Sequence, residues 1–356
     1  MHTVYTPLHW HHDPGELSSS GYILADGEPF VSQEVPQRAE AIREAITAAR
    51  LGPVVPPDDQ GLEPILRVHA VDYVEYLREA FSRYAAYVGS PCPIMSQRGE
   101  VDPTRAEMRP PSFPALREYY TYDYEDPILA GTWEAAYWSA QCALTAATLV
   151  RNGHSTAYAL CRPPGHHATA DQYGGFCYLN NAAVAARMLS DCGPVAVLDV
   201  DYHHGNGTQS IFYTDPGVMY VSIHADPALE YPFHWGFRNE RGEGLGLGTN
   251  VNLPLPLGAD DAAYLAAVDT ALEHISHFGT SYLVVSMGLD ALAGDTIGEF
   301  RVTQKGWAEV GRRVAALMLP TVIVQEGGYQ LASLGQHAVQ FLSRFVERSC
   351  GEAIHG

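Results

Sequence analysis

Short apolar runs separated by amphipathic stretches recur through the second half of the chain. Residues 195–200, 218–223, 282–287 and 321–324 are continuous and rich in β-branched side chains. They lack the alternation of a strand with one wet face, so each is expected to be a strand buried on both faces. Between them, the apolar spacing predicts helices over residues 132–150, 181–190, 262–277 and 303–318, the last with Thr303 as N-cap. Alternating strands and helices predict an α/β fold with a single parallel sheet flanked by helices on both faces. Ligands of such sheets bind beyond the carboxyl ends of the strands, which directs attention to the polar residues just after each run.

One stretch breaks the pattern. Residues 84–126 hold six prolines between Pro91 and Pro114, and a tyrosine-rich run follows at 119–124. The prolines argue against regular helix, and the length exceeds an ordinary connection. Its Phe and Tyr side chains predict an ordered excursion that packs against something. The chain therefore reads as one domain, 1–356, with one long inserted loop.

Composition narrows the partners. A net charge of −20 opposes non-specific binding to nucleic acid or an anionic membrane and favours a cationic small molecule or basic peptide. Six cysteines without CxxC spacing, and an N-terminus without a basic segment followed by an apolar one, predict reduced thiols and a cytoplasmic protein. No apolar run approaches the ~18 residues of a membrane-spanning helix.

Candidate chemistry follows the runs. Asp199, Asp201, His203, His204 and Asn206 lie directly after the strand at 195–198. Alternation puts Asp199, Asp201 and His203 on one side of an extended chain, and a carboxylate with an imidazole two residues away can hold a zinc ion. The third ligand is sought after the strand at 282–285, where Asp290 is the candidate and Asp295 competes with it. Arg162, Pro163, Pro164, Gly165, His166 and His167 follow another apolar run at 157–161, and a histidine pair on a rigid loop suits proton transfer. Glu326, Gly327, Gly328 and Tyr329 follow the strand at 321–324, with the Tyr329 phenol as a neutral hydrogen-bond donor. The histidines at 9, 11 and 12 lack a preceding strand and read as surface or supporting residues. The glycine-rich stretch 241–248 lacks the lysine of a phosphate loop and reads as a turn leading into a strand at 252–256.

These motifs, in this order, resemble the zinc-dependent histone deacetylase superfamily with its arginase-like fold. The segment 174–181 resembles the family's tunnel-lining segment, and Pro36 with Arg38 resembles its N-terminal helix. Asn206 resembles the class II branch. Within that branch, residues 131–135, 222–227, Tyr231 with Pro232, and the long loop most resemble bacterial acetylpolyamine amidohydrolases. The resemblance implies zinc on Asp201, His203 and Asp290, with Tyr329 helping the metal polarise an amide carbonyl. His167 would be the general base and acid, His166 its electrostatic partner bonded to Asp199, with Asn206 in the catalytic set. It also implies a structural potassium on Asp199, Asp201 and backbone near His203, Ser222 and Ile223. Gly175, Phe176 and His234 would line the substrate tunnel. Glu125 and Asp126 would select a cationic amine, and a homodimer would form through the inserted loop. The expected reaction is zinc-dependent hydrolysis of an N-acetyl amide on a small primary amine. A protein acetyl-lysine deacetylase and a non-catalytic acetyl-binding module are the alternatives.

Overall fold

Eight strands build one sheet in the computed structural model, which describes residues 1–15, 17, 31–95, 109–110, 112–123 and 126–352, with side chains to residue 347. They are β1 (His2–Val4), β2 (Val54–Val55), β3 (Thr156–Ala159), β4 (Val195–Asp199), β5 (Val218–Ala225), β6 (Asn250–Leu255), β7 (Tyr282–Met287) and β8 (Thr321–Gln325). Their order is β2-β1-β3-β8-β7-β4-β5-β6, and every pairing is parallel. The four strands expected from continuous apolar runs are all present. β6 begins two residues earlier than expected and carries Pro254, which an edge strand tolerates because its outer side has no ladder to complete.

Alternate residues of the central strands feed two separate cores. Ala157, Val197, Val284 and Val322 pack beneath the helices Val71–Val88, Thr132–Arg151 and Asn181–Leu189. Tyr158, Leu198, Val285 and Ile323 pack beneath Gln37–Ala48, Asp261–Phe278, Gln304–Ala315 and Leu331–Glu352. Thr303 caps the helix Gln304–Ala315 by accepting the Gly306 amide. That helix stops short of Met318, whose φ of 58° turns the chain away.

Two expectations are corrected. The inserted segment starts later, because the helix Val71–Val88 continues to a left-handed Gly89 cap. It also contains a helix, Phe113–Tyr119, because Pro114 sits in the first turn, where no intrahelical N–H is required. This helix packs on the chain's own aromatics: Tyr76 faces Tyr120 at 4.6 Å and Phe113 at 6.2 Å between ring centroids. The histidines near the N-terminus are not all superficial. β1 precedes them, a 3-10 helix (Pro7–His11) buries His9, and His12 is buried on Thr132.

Candidate active site

Register brings four loops to one level. Ala159, Val324, Ser286, Asp199 and Ser222 form a row across β3, β8, β7, β4 and β5. Just past this row the chain leaves four of the strands, so residues 162–167, 326–329, 288–295 and 199–207 converge over the carboxyl edge of the sheet.

Asp201, His203 and Asp290 form a buried cluster whose candidate ligand atoms all lie within 4.8 Å of one another, the one such group of three among the described residues. His203 Nδ1 lies 3.4 Å from Asp201 Oδ1 and 3.2 Å from Asp290 Oδ2. Backbone amides hold the carboxylates: Gly327 donates to Asp201 Oδ2 at 2.9 Å, and Tyr202 to Asp290 Oδ1 at 3.0 Å. Glycine is required behind them, since a Cβ on Gly288 would come 2.0 Å from Asp201 Oδ2, and one on Gly327 would come 2.4 Å from Asp290 Oδ2. Burial opposes charge on His203, but Asp201 and Asp290 outweigh it and carry the imidazole up to about 10. Burial and the neighbouring Asp201 push Asp290 up to about 7. Two carboxylates that draw positive charge this strongly, beside one imidazole, fit a divalent metal, and the mixed oxygen and nitrogen set suits zinc. Asp295 is turned elsewhere: its Oδ2 accepts the Tyr329 and Gln330 amides at 2.7 and 3.1 Å, and its Oδ1 accepts the Ile297 amide.

The histidine pair stands beside this cluster with ring centroids 4.0 Å apart. His166 Nδ1 bonds Asp199 Oδ2 at 3.1 Å, and His167 Nδ1 bonds Asn206 Oδ1 at 2.7 Å. The environments separate the two. Burial opposes a proton on His166, but Asp201 and Asp199 carry it up to about 10. Burial, His166 and His203 together push His167 well below its ordinary value. With Nδ1 donating to Asn206, the free lone pair of His167 is on Nε2. Tyr329 is 8% exposed, with the Arg38 guanidinium 4.5 Å from its ring centre. Burial raises its phenol well above the ordinary value, so it remains a neutral donor.

A cleft of about 380 Å³ opens over these groups, lined by His167, His203, Gly175, Phe176, Tyr231 and Tyr329 within, and by Asp123, Glu230, Gln33 and Ile297 among others. Gly175 takes a φ of 58°, and a Cβ there would meet the His167 ring at 2.3 Å. Phe176 stands edge-on to Tyr329. The wall facing His167 is Tyr231, not His234. Tyr231 packs edge-on to His167 at 5.1 Å, whereas the φ of 58° at Phe233 turns the chain outward and leaves His234 exposed beside Trp235. Ser222 and Ile223 are buried in β5 beside Asp199.

The acids of the cleft also differ from expectation. Glu125 lies outside the described residues. Asp126 is buried, and its Oδ1 accepts the Phe176 amide, so it anchors the wall instead of facing substrate. Asp123 and Glu230 line the cleft instead. Asp123 Oδ2 accepts the Gly175 amide at 3.2 Å and the Tyr231 hydroxyl at 2.9 Å. Glu230 accepts from the Tyr202 hydroxyl and the Tyr231 amide, both neutral donors. The tyrosine-rich run and the pair Tyr231–Pro232 were the available signals, but neither says which side chain turns inward.

Residues 32–345 match the family model of the histone deacetylase domain. The chain is 43% identical over 324 residues to acetylpolyamine amidohydrolase 1 of Pseudomonas aeruginosa, covering 90% of this chain and 94% of that one. It is 44% identical over 345 residues to acetylpolyamine amidohydrolase of Burkholderia pseudomallei, covering 95% and 98%. A crystal structure of acetylpolyamine aminohydrolase from Burkholderia pseudomallei superposes with a TM-score of 0.89 at 43% identity, covering 97% of this chain and 98% of that one.

Proposed function

We infer that this chain, which belongs to the histone deacetylase family and has its arginase-like fold, is a deacetylase that hydrolyses acetylated polyamines or similar small acetylated amines to acetate and free amine. The observation that carries the reading is the meeting of the Asp201, His203 and Asp290 cluster, His167 and Tyr329 in one cleft whose lining, among the described residues, includes Asp123 and Glu230 but no lysine or arginine. A cationic amine is favoured there and an anionic substrate is not.

The family is zinc-dependent, and Asp201, His203 and Asp290 would hold one zinc ion per chain. When bound, zinc lowers the pKa of water in the site and polarises the amide carbonyl. The remaining roles belong to side chains. His167 Nε2, kept neutral by burial and by two neighbouring imidazoles, takes the proton of the attacking water. The Tyr329 hydroxyl donates to the carbonyl oxygen as negative charge develops on it. His166, held on Asp199, keeps a positive charge beside His167. Asn206 fixes the His167 tautomer through Nδ1. As the carbon–nitrogen bond breaks, His167 returns its proton to the leaving amine. Gly175, Phe176 and Tyr231 confine the substrate chain.

Further parts of the reading rest on the resemblance. A structural potassium would lie on Asp199, Asp201 and the backbone near His203, Ser222 and Ile223. A homodimer would form through the inserted segment, supported by the exposed Tyr87 and Val88 beside it. The chain would act as one domain in the cytoplasm, where the free cysteines among the described residues, Cys92, Cys142, Cys161, Cys177 and Cys192, suit the reducing environment. No helix among the described residues is long and apolar enough to cross a membrane. The experiment is a comparison of kcat/KM for acetylputrescine, acetylspermidine and an acetyl-lysine peptide with zinc content measured. Highest values for the polyamines are expected. Preference for the peptide would replace the substrate assignment with a protein deacetylase.

A further inference from the structure

Glu326 is the first residue past β8, and its side chain is fully buried. Its Oε2 accepts two consecutive backbone amides of the histidine loop, Gly165 at 2.7 Å and His166 at 3.1 Å. Its Oε1 accepts the Ser286 hydroxyl of β7 at 3.2 Å. The backbone carbonyl of Glu326 is itself gripped by Arg38 Nη2 at 2.7 Å, with the Gly328 carbonyl on Arg38 Nε at 2.6 Å. One carboxylate thus joins the carboxyl ends of three adjacent strands, β3, β8 and β7.

The other side of the histidine loop is closed. A Cβ on Gly165 would lie 2.4 Å from the Asn181 amide nitrogen and 2.8 Å from the Leu179 carbonyl. The Asn181 side chain donates to the Pro163 carbonyl at 3.1 Å, and the Ser139 hydroxyl donates to the same atom at 2.9 Å. The peptide preceding His166 is therefore held between packed backbone on one side and Glu326 on the other.

Each imidazole has one hydrogen bond at its ring, to Asp199 or Asn206. Those bonds and the packing of the rings on each other and on Tyr231 set their tilt, whereas the position of each Cβ, and so the reach of the pair, depends on the backbone. We propose that Glu326 is a positioning residue for the proposed deacetylation: by accepting the Gly165 and His166 amides together, its carboxylate orients the main chain that aims His166 and His167 at the reacting amide. This rests on the functional reading above and assigns Glu326 no contact with substrate.

The test compares Glu326→Gln, Glu326→Asp and Glu326→Ala in the full chain with zinc bound. Glutamine keeps the reach and one carbonyl acceptor, and its amide can donate to Ser286. Aspartate keeps the charge but falls one methylene short. Misplacement on the scale of 1 Å costs roughly 10²-fold. Glu326→Asp and Glu326→Ala are therefore expected to lose roughly 10²-fold in kcat, with KM within about 3-fold and one zinc per chain retained, while Glu326→Gln stays within about 5-fold of wild type. If the alanine variant does not fold, the Asp and Gln pair still decides. A Glu326→Asp variant with wild-type kcat, a Glu326→Gln variant as impaired as Glu326→Asp, or losses confined to KM or to zinc content would each overturn the assignment. A wild-type enzyme inactive on acetylated amines would instead overturn the functional reading, and that is seen before any variant is compared.

Discussion

The Tyr231 hydroxyl donates to Asp123 Oδ2 across 2.9 Å, tying the loop after β5 to the inserted segment over the mouth of the cleft. The ring of the same tyrosine stands edge-on to His167. One side chain therefore walls the cleft while its hydroxyl holds an acid at the entrance. Asp123→Asn and Glu230→Gln are expected to raise KM for acetylputrescine several-fold with kcat little changed. The effect should shrink at high salt, because exposed charges are screened beyond about 8 Å at physiological ionic strength. A neutral acetylated alkylamine of equal length is the control. An equal rise in its KM would trace the change to cleft shape and remove charge from substrate selection.

Metal retention separates Asp290 from Asp295. Asp201→Ala, His203→Ala and Asp290→Ala are each expected to lose zinc and activity together, because a site of three protein ligands has none to spare. Asp295→Ala should keep its zinc, since that carboxylate serves the Tyr329 and Gln330 amides. Metal analysis of the purified variants gives the answer. Zinc retained in Asp290→Ala and lost in Asp295→Ala would reverse the ligand assignment.

Tyr329→Phe removes one donor and leaves the ring beneath Arg38. The variant is expected to fold and bind zinc normally and to lose roughly 10²-fold or more in kcat, the scale of one oxyanion donor. Near wild-type turnover would return Tyr329 to a packing role.

The strands carrying the site were legible because their runs, such as 282–287 with Ser286 its one polar side chain besides the Tyr282 hydroxyl, put apolar residues on both faces without alternation, as expected when both faces are covered. The metal cluster was legible in part. Alternation past β4 brought Asp201 and His203 together, but Asp290 and Asp295 both follow β7, and chain spacing does not say which way an irregular loop turns each carboxylate. The same gap hid Tyr231. In the aromatic run 231–237 no period distinguishes inward from outward, and the turn at Phe233 that exposes His234 is a tertiary feature. Pro114 misled in a different way, because a proline opening a helix has the same composition as one breaking it.

Acid stability provides a prediction away from the chemistry. His69 is buried, and its Nε2 accepts the Asn180 amide at 2.9 Å. Asn180 in turn caps the helix Asn181–Leu189 by accepting the Ala183 amide, at the end of the segment bearing Gly175 and Phe176. Burial lowers His69 to about 4, although nearby backbone carbonyls at Ala170 and Thr169 resist the shift. The unfolded chain protonates this histidine near 6.5 while the folded one does not, so below that pH the unfolded state binds more protons and stability falls. Stability from this group is complete above about pH 7.5 and is lost progressively down to about pH 4. Between pH 7.5 and 5 the loss amounts to about 2 kcal/mol. Glutamine at this position can accept the Asn180 amide without titrating. Denaturant midpoints for wild type and His69→Gln are therefore expected to converge as pH falls from 7.5 to 5, with wild type losing more. Parallel pH profiles for the two proteins would mean that His69 takes up its proton as readily in the folded state as in the unfolded chain, and the buried neutral imidazole would have to be abandoned.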